Sequence, residues 1–246
     1  MKPFVLLATR AEDVAADDEY AAFLRFGGLS ESELVRIRLE QPDAPPAASL
    51  DLDAFSGVIL GGSPFTTSVP AGTKSAEQVR VEADVFALLD RVVVEDRPFL
   101  GACYGVGTLG VHQGGVVDGT FGEAIGAVAI ELTGEGAVDP LTSALPGSFE
   151  AFVGHKEAVT TLPDHAVLLA SSASCPVQAF RVGRHVYATQ FHPELDVPGL
   201  QTRIEVYRDY GYFEPHEAEW LKANAARAAV SEPPRLLQRF VELYAR

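Results

Sequence analysis

The chain has little cysteine, two residues in 246. That excludes a disulfide framework as the source of its stability. It is also poor in basic residues, with 19 Lys and Arg against 34 Asp and Glu, a formal net charge of −15. A surface of that sign repels nucleic acid and anionic membranes, so neither is expected as a partner. Long apolar runs are missing. The opening MKPFVLLATRAED holds too short a run for a signal peptide or a membrane span, and no later stretch is long enough to span. No P-loop appears: GVGTLG, Gly105 to Gly110, follows the cysteine turn and does not open a phosphate site. No His, Cys, Asp or Glu spacing reads as a metal set. The expectation is a cytoplasmic protein with no metal and no cofactor. What is present is 47% hydrophobic residues, enough for a sizeable core.

Short apolar runs alternate with helical patterns. FVLLA (4–8), GVIL (57–60) and RPFLGA (97–102) read as buried strands, and LVRIRL (34–39) as a strand nearer the sheet edge. Between them, 17–28 reads as a helix stopped by Gly27 and Gly28, 41–55 as a Pro-rich surface loop, 74–94 as a long helix and 104–115 as a short glycine-rich one. This alternation predicts a parallel sheet covered on both faces. After Val116 short strand-like runs follow with little helix, as an antiparallel or mixed section returning to the sheet. From Pro198 the chain is helical, with a break at Ser231–Pro234 before a last helix that repeats Leu236, Leu237, Phe240, Val241 and Leu243. No internal repeat or long linker appears. One domain over 1–246 is expected, with a core to about 197 and a helical extension over 198–246 that is too short for a nucleotide-activating domain.

The run GACYG places Cys103 between Gly101 and Gly105, where a strand turns into a helix. This is the sulfur form of the nucleophile elbow G-x-S-x-G. Glycines fit where a Cβ would clash, and the helix N–H groups aimed at the sulfur favour thiolate. A buried cysteine in a tight turn would show the same short pattern. A thiol nucleophile needs a base, and the base needs an orienter. QFHPE supplies both: His192 precedes Pro193 and is held extended, so Glu194 falls on the same side and reaches the imidazole. An acyl-transfer site also needs oxyanion donors. Gly61, Gly62 and Ser63 of VILGGSP, and the amide of Tyr104, are the candidates.

Taken together, GGSP, GACYG and FHPE resemble, in order, the motifs of the class I glutamine amidotransferases, over roughly the first 200 residues. GHKEAVTTLPDHAVLLASSASCPVQAF resembles the amidotransferase domain of GMP synthase and its stand-alone relatives. The resemblance implies a flavodoxin-like three-layer α/β/α fold around a mostly parallel sheet, and glutamine hydrolysis through a γ-glutamyl thioester. It places His155 at the substrate mouth and gives Tyr104 a shielding or a packing role. Where the family usually carries glutamine four residues after the nucleophile, this chain has Gly107. Three functions follow as expectations: a glutaminase that releases ammonia for an unknown acceptor, a γ-glutamyl peptidase, or a non-catalytic binding or regulatory module. The expected partners are glutamine or another γ-glutamyl compound, and a separate synthetase or a second copy.

Overall fold

A computed structural model describes residues 1–246 of the chain. The first half lays down strands β1 (Phe4–Ala8), β2 (Leu34–Arg38), β3 (Val58–Leu60), β4 (Phe99–Ala102) and β5 (Val116–Asp118). Three helices lie between them: α1 (Asp13–Gly27), α2 (Ala76–Val94) and α3 (Tyr104–His112). Then come β6 (Glu123–Leu132), α4 (Gly134–Val138), β7 (Ser148–His155), β8 (Ala158–Thr161), β9 (Val167–Ser172), β10 (Ala179–Val182) and β11 (Val186–Thr189). The chain ends in α5 (Val197–Val206), α6 (Ala218–Ala225) and α7 (Pro234–Tyr244).

The nine-stranded sheet has the order β2-β1-β3-β4-β11-β10-β9-β6-β7. Its first five strands pair in parallel, a flavodoxin-like order in which β11 takes the fifth place. The remaining pairs are antiparallel, as the short runs after Val116 predict. The basic alternation of LVRIRL is that of β2, which is the edge strand. β5 and β8 stand apart as a two-stranded sheet that the sequence reading did not separate.

Alternation along the strands divides the core into two layers. Val5 and Leu7 of β1 face one apolar cluster, with Val81, Val85, Leu88, Leu89 and Val92 of α2. Phe4 and Leu6 face the other, with Phe23 of α1 and Leu236, Leu237 and Phe240 of α7. The three layers therefore follow from period-2 strands set against period-3.6 helices. Helix boundaries follow local chemistry. Gly28 ends α1 at φ 64°, and the N–H of Leu29 reaches the carbonyl of Leu24. The Ser75 side chain caps α2 by accepting from the N–H of Gln78 at 3.0 Å.

The 41–55 segment is more than a surface loop. It forms two 3-10 turns, with Ala47 and Leu52 buried, because Asp84 of α2 accepts from the N–H groups of Ala47 and Ala48 at 2.6 and 2.9 Å. The helices after Pro198 cover the sheet. α7 completes the second core layer, with the Phe240 ring 5.8 Å from that of Phe4. Phe240→Ala should therefore cost about 3–5 kcal/mol. Urea denaturation measures it, and a loss under about 1 kcal/mol would show that α7 is peripheral to the core.

Candidate active site

Ligands of open parallel sheets sit at the carboxyl ends of the strands. Here four adjacent strands each deliver polar groups to that edge. Arg10 follows β1, Gly61 to Ser63 follow β3, Cys103 follows β4, and Gln190, His192 and Glu194 follow β11. Cys103 is at φ 54°, ψ −85°, one of two non-glycine residues with positive φ. This is the sharp elbow that the glycine pattern predicts, and such backbone costs about 1–3 kcal/mol. The glycines serve it directly, since a Cβ on Gly101 would meet the Cα of Gly105 at 2.8 Å. The Cys103 N–H donates to the Thr189 carbonyl at 2.7 Å, which ties the elbow to β11.

His192 and Glu194 meet as predicted, with Nδ1 2.8 Å from Oε1. No hydrogen bond joins His192 to Cys103, although both face one cavity with Arg10, Arg203, Tyr207 and Tyr212. Gln190 Nε2 donates to the sulfur at 3.9 Å. A second cavity meets the first at Cys103 and Tyr212, and Ser63, Tyr104, His155 and Glu157 line it. Burial pushes the Cys103 thiol up to about 12, and Arg10 opposes this only partly. Desolvation therefore favours the thiol and works against the thiolate preference expected from the helix N-terminus. Burial also disfavours a proton on His192, with Glu194 opposing and Arg203 and Arg10 reinforcing. Burial resists ionisation of Glu194, yet His192 and Arg203 hold its carboxyl far below the usual carboxylate range.

The remaining predicted residues divide. The Gly61 N–H is taken by the Leu7 carbonyl at 3.0 Å, so it completes the strand pairing, whereas Gly62 and Tyr104 donate to no carbonyl. Gly61 instead makes room, since a Cβ there would stand 2.7 Å from Glu19 Oε2. At Gly62 it would stand 2.8 Å from His192 Cε1. Ser63 Oγ accepts from the Phe65 N–H at 3.1 Å and shapes the turn. The Tyr104 ring packs edge-on to Phe65 at 6.2 Å in the apolar core, and the residue also lines the second cavity. His155 lies in the cavity wall but is braced on both sides, with Nδ1 2.8 Å from the Glu157 carbonyl and Nε2 2.8 Å from Glu123. Glu123 also takes hydrogen bonds from Ser174 and Gln178. Cys175 is buried beside this cluster and is not part of the Cys103 site.

Sequence reading missed Arg10, Glu19, Arg203 and Tyr212. Arg10 donates to Glu19 at 2.9 Å, and Arg203 donates to Glu194 at 2.8 Å and reaches Glu19 at 3.4 Å. The signal was present in part. The buried stripe of α1 is Ala15, Ala16, Glu19, Ala22 and Phe23, and that of α5 is Gly199, Leu200, Arg203 and Ile204. Each stripe carries a charge where helical spacing calls for an apolar residue.

The family model described as "Glutamine amidotransferase class-I" matches residues 30–203. The chain belongs to the class I glutamine amidotransferase family. It is 31% identical over 189 residues to a glutamine-hydrolysing GMP synthase of Ectopseudomonas mendocina (strain ymp), covering 74% of this chain and 33% of that protein. A GMP synthase of Serratia proteamaculans (strain 568) is 31% identical over 146 residues, 57% of this chain and 25% of that one. The chain thus spans a third or less of the length of these relatives. Among solved structures, a glutamine amidotransferase from Thermotoga maritima superposes with a TM-score of 0.71 at 22% identity, covering 98% of this chain and 99% of that one. A glutamine amidotransferase from Methylobacillus flagellatus gives 0.71 at 17%, covering 100% and 96%. At these identities the likeness establishes the fold.

Gly107 is closely enclosed. A Cβ there would lie 2.7 Å from Glu157 Oε1. That carboxylate is pinned by the N–H groups of Thr67 and Ser68, at 2.7 and 2.6 Å. Glu157 occupies the space that a larger residue at 107 would need. Gly107→Ala should cost about 1–3 kcal/mol through overpacking. An unchanged urea midpoint would show instead that the carboxylate swings away freely.

Proposed function

We propose that the chain hydrolyses the γ-amide of glutamine through a γ-glutamyl thioester on Cys103, within one domain spanning 1–246. The observation that carries this reading is the convergence at one sheet edge of the elbow cysteine and the His192–Glu194 pair, 2.8 Å apart. The sulfur attacks the γ-carbonyl while His192 takes the thiol proton. This coupling suits a thiol that burial holds protonated at rest. The N–H groups of Gly62 and Tyr104 carry the oxyanion. His192 then gives its proton to the departing ammonia, activates a water against the thioester, and glutamate leaves. Glu194 orients the imidazole and carries no proton itself. Substrate binding must close the gap between His192 and Cys103, since catalytic hydrogen bonds often tighten only in the complex.

Ammonia is useful only where an activated acceptor waits. The GMP synthases matched here carry the similar segment within much longer chains, which supports a separate synthetase partner for this domain. A second reading is cleavage of other γ-glutamyl compounds. The Gly107 and Glu157 arrangement favours it, because no glutamine side chain is present at 107 to hold the substrate amino acid.

Purified chain should release ammonia from glutamine slowly and without ATP or Mg²⁺. A strict ATP requirement would sink the reading of a lone hydrolytic half, and amine release from γ-glutamyl peptides with none from glutamine would favour the second reading. Cys103→Ala should lower turnover by about 10³-fold or more, whereas Cys175→Ala should keep most of it. Glu194→Gln should lose less than His192→Ala, and an equal or greater loss would contradict the orienter role.

A further inference from the structure

We infer that Arg203 is a positioning residue that holds Glu194 against His192 and keeps the imidazole uncharged, so that His192 remains a base at mildly acidic pH. This rests on the reading of His192 as the base. Arg203 Nη1 lies 3.0 Å from His192 Nδ1, and Glu194 Oε1 lies 2.8 Å from that same nitrogen. A guanidinium only donates, so Nδ1 cannot accept from Arg203 and donate to Glu194 in one tautomer. The shorter contact is to a charged acceptor, which assigns the proton to Nδ1 and leaves the Nε2 lone pair for the thiol. Arg203 Nη1 then stands beside the ring as a positive charge that opposes a second proton. Its Nη2 donates to Glu194 Oε1 at 2.8 Å and fixes the carboxylate.

The charged groups facing His192 come from four elements. Glu194 follows β11, Arg203 projects from α5, Arg10 follows β1, and Glu19 lies on α1 behind both arginines. Asp18 of α1 feels the charge of Arg203, and Tyr207 accepts from Arg10 at 3.1 Å. Cys103 and Tyr212 line the open side. Arg10 and Arg203 balance Glu19 and Glu194, all four buried. A proton on His192 adds a positive charge to this balanced set, and the sulfur, as it ionises, matches it across the cavity. His192 therefore becomes charged as Cys103 reacts and not before.

The test is a titration of ¹⁵N-histidine-labelled full chain by NMR, with His192 assigned through His192→Gln, alongside the pH profile of kcat/KM for glutamine. Arg203→Gln removes the positive charge and should raise the His192 midpoint by about one pH unit. The acid limb of kcat/KM should move up equally, with kcat falling more than KM changes. Arg203→Lys should stay near wild type. Glu19→Gln removes a negative charge and should move the midpoint the other way. Opposite shifts cannot come from general loosening of the site, and the Glu19 arm decides the matter if Arg203→Gln does not fold. A His192 midpoint that stays put or falls in Arg203→Gln, or that does not fall in Glu19→Gln, overturns the inference. Absence of ammonia release from wild type would remove the glutaminase reading but leave these midpoints measurable.

Discussion

One backbone hydrogen bond sets the register of the site. The Cys103 N–H reaches the Thr189 carbonyl at 2.7 Å, just beyond the parallel pairing of Ala102 with Thr189. β4 and β11 therefore end level. The elbow begins on one strand where the segment bearing His192 and Glu194 begins on the other. Residues almost ninety positions apart in the chain come together because two strands share a ladder. The neighbouring strands β3 and β1 end at the same edge and bring Gly62 and Arg10. The positive φ of Cys103 is sustained by this fixing and by the close passage of Gly101 past Gly105. Backbone strain of about 1–3 kcal/mol persists only where the surroundings over-determine it.

A second constraint is charge. The protein as a whole is strongly acidic, yet its buried site is locally balanced, with two arginines against two glutamates. Breaking one member of such a set leaves an uncompensated buried charge, at a cost of about 3–5 kcal/mol. The set also joins elements that the strand ladder does not. Glu19 brings α1, and Arg203 brings α5, against the end of β11. The segment after Pro198 thus does two things at once: it covers the sheet through Leu236, Leu237 and Phe240 of α7, and it lines the cavity through Arg203 of α5 and Tyr207 and Tyr212 of the turn after it.

The sequence displays the parts of the site whose geometry is local. Gly101, Cys103 and Gly105 lie within one turn, and His192, Pro193 and Glu194 are adjacent, so short-range sterics are enough to read them. The edge position of β2 follows from its apolar and basic alternation, whereas the flavodoxin-like arrangement of the sheet came from the resemblance and not from any local pattern. Arg10, Glu19 and Arg203 were hidden because tertiary packing gives them their meaning. An acid early in a helix normally faces water, and nothing local says that Glu19 is fully buried. Only its place on the apolar stripe of α1 hints at this, and a buried charge on a stripe does not name its partner. The direction in which burial moves the Cys103 thiol was also unreadable. A helix N-terminus favours thiolate, and only the depth of the cavity shows that desolvation wins.

These features converge on when charge is allowed to exist in the site. The Cys103 thiol is costly to ionise, and the imidazole is costly to protonate. Each cost falls when the other group carries the opposite charge. In the proposed reaction, proton transfer between them would become favourable as the sulfur's electrons move onto a carbonyl whose oxyanion meets the N–H groups of Gly62 and Tyr104. On the proposed mechanism, such a site would hold its nucleophile as the thiol until substrate binds, and a thiol resists oxidation and stray alkylation better than a standing thiolate.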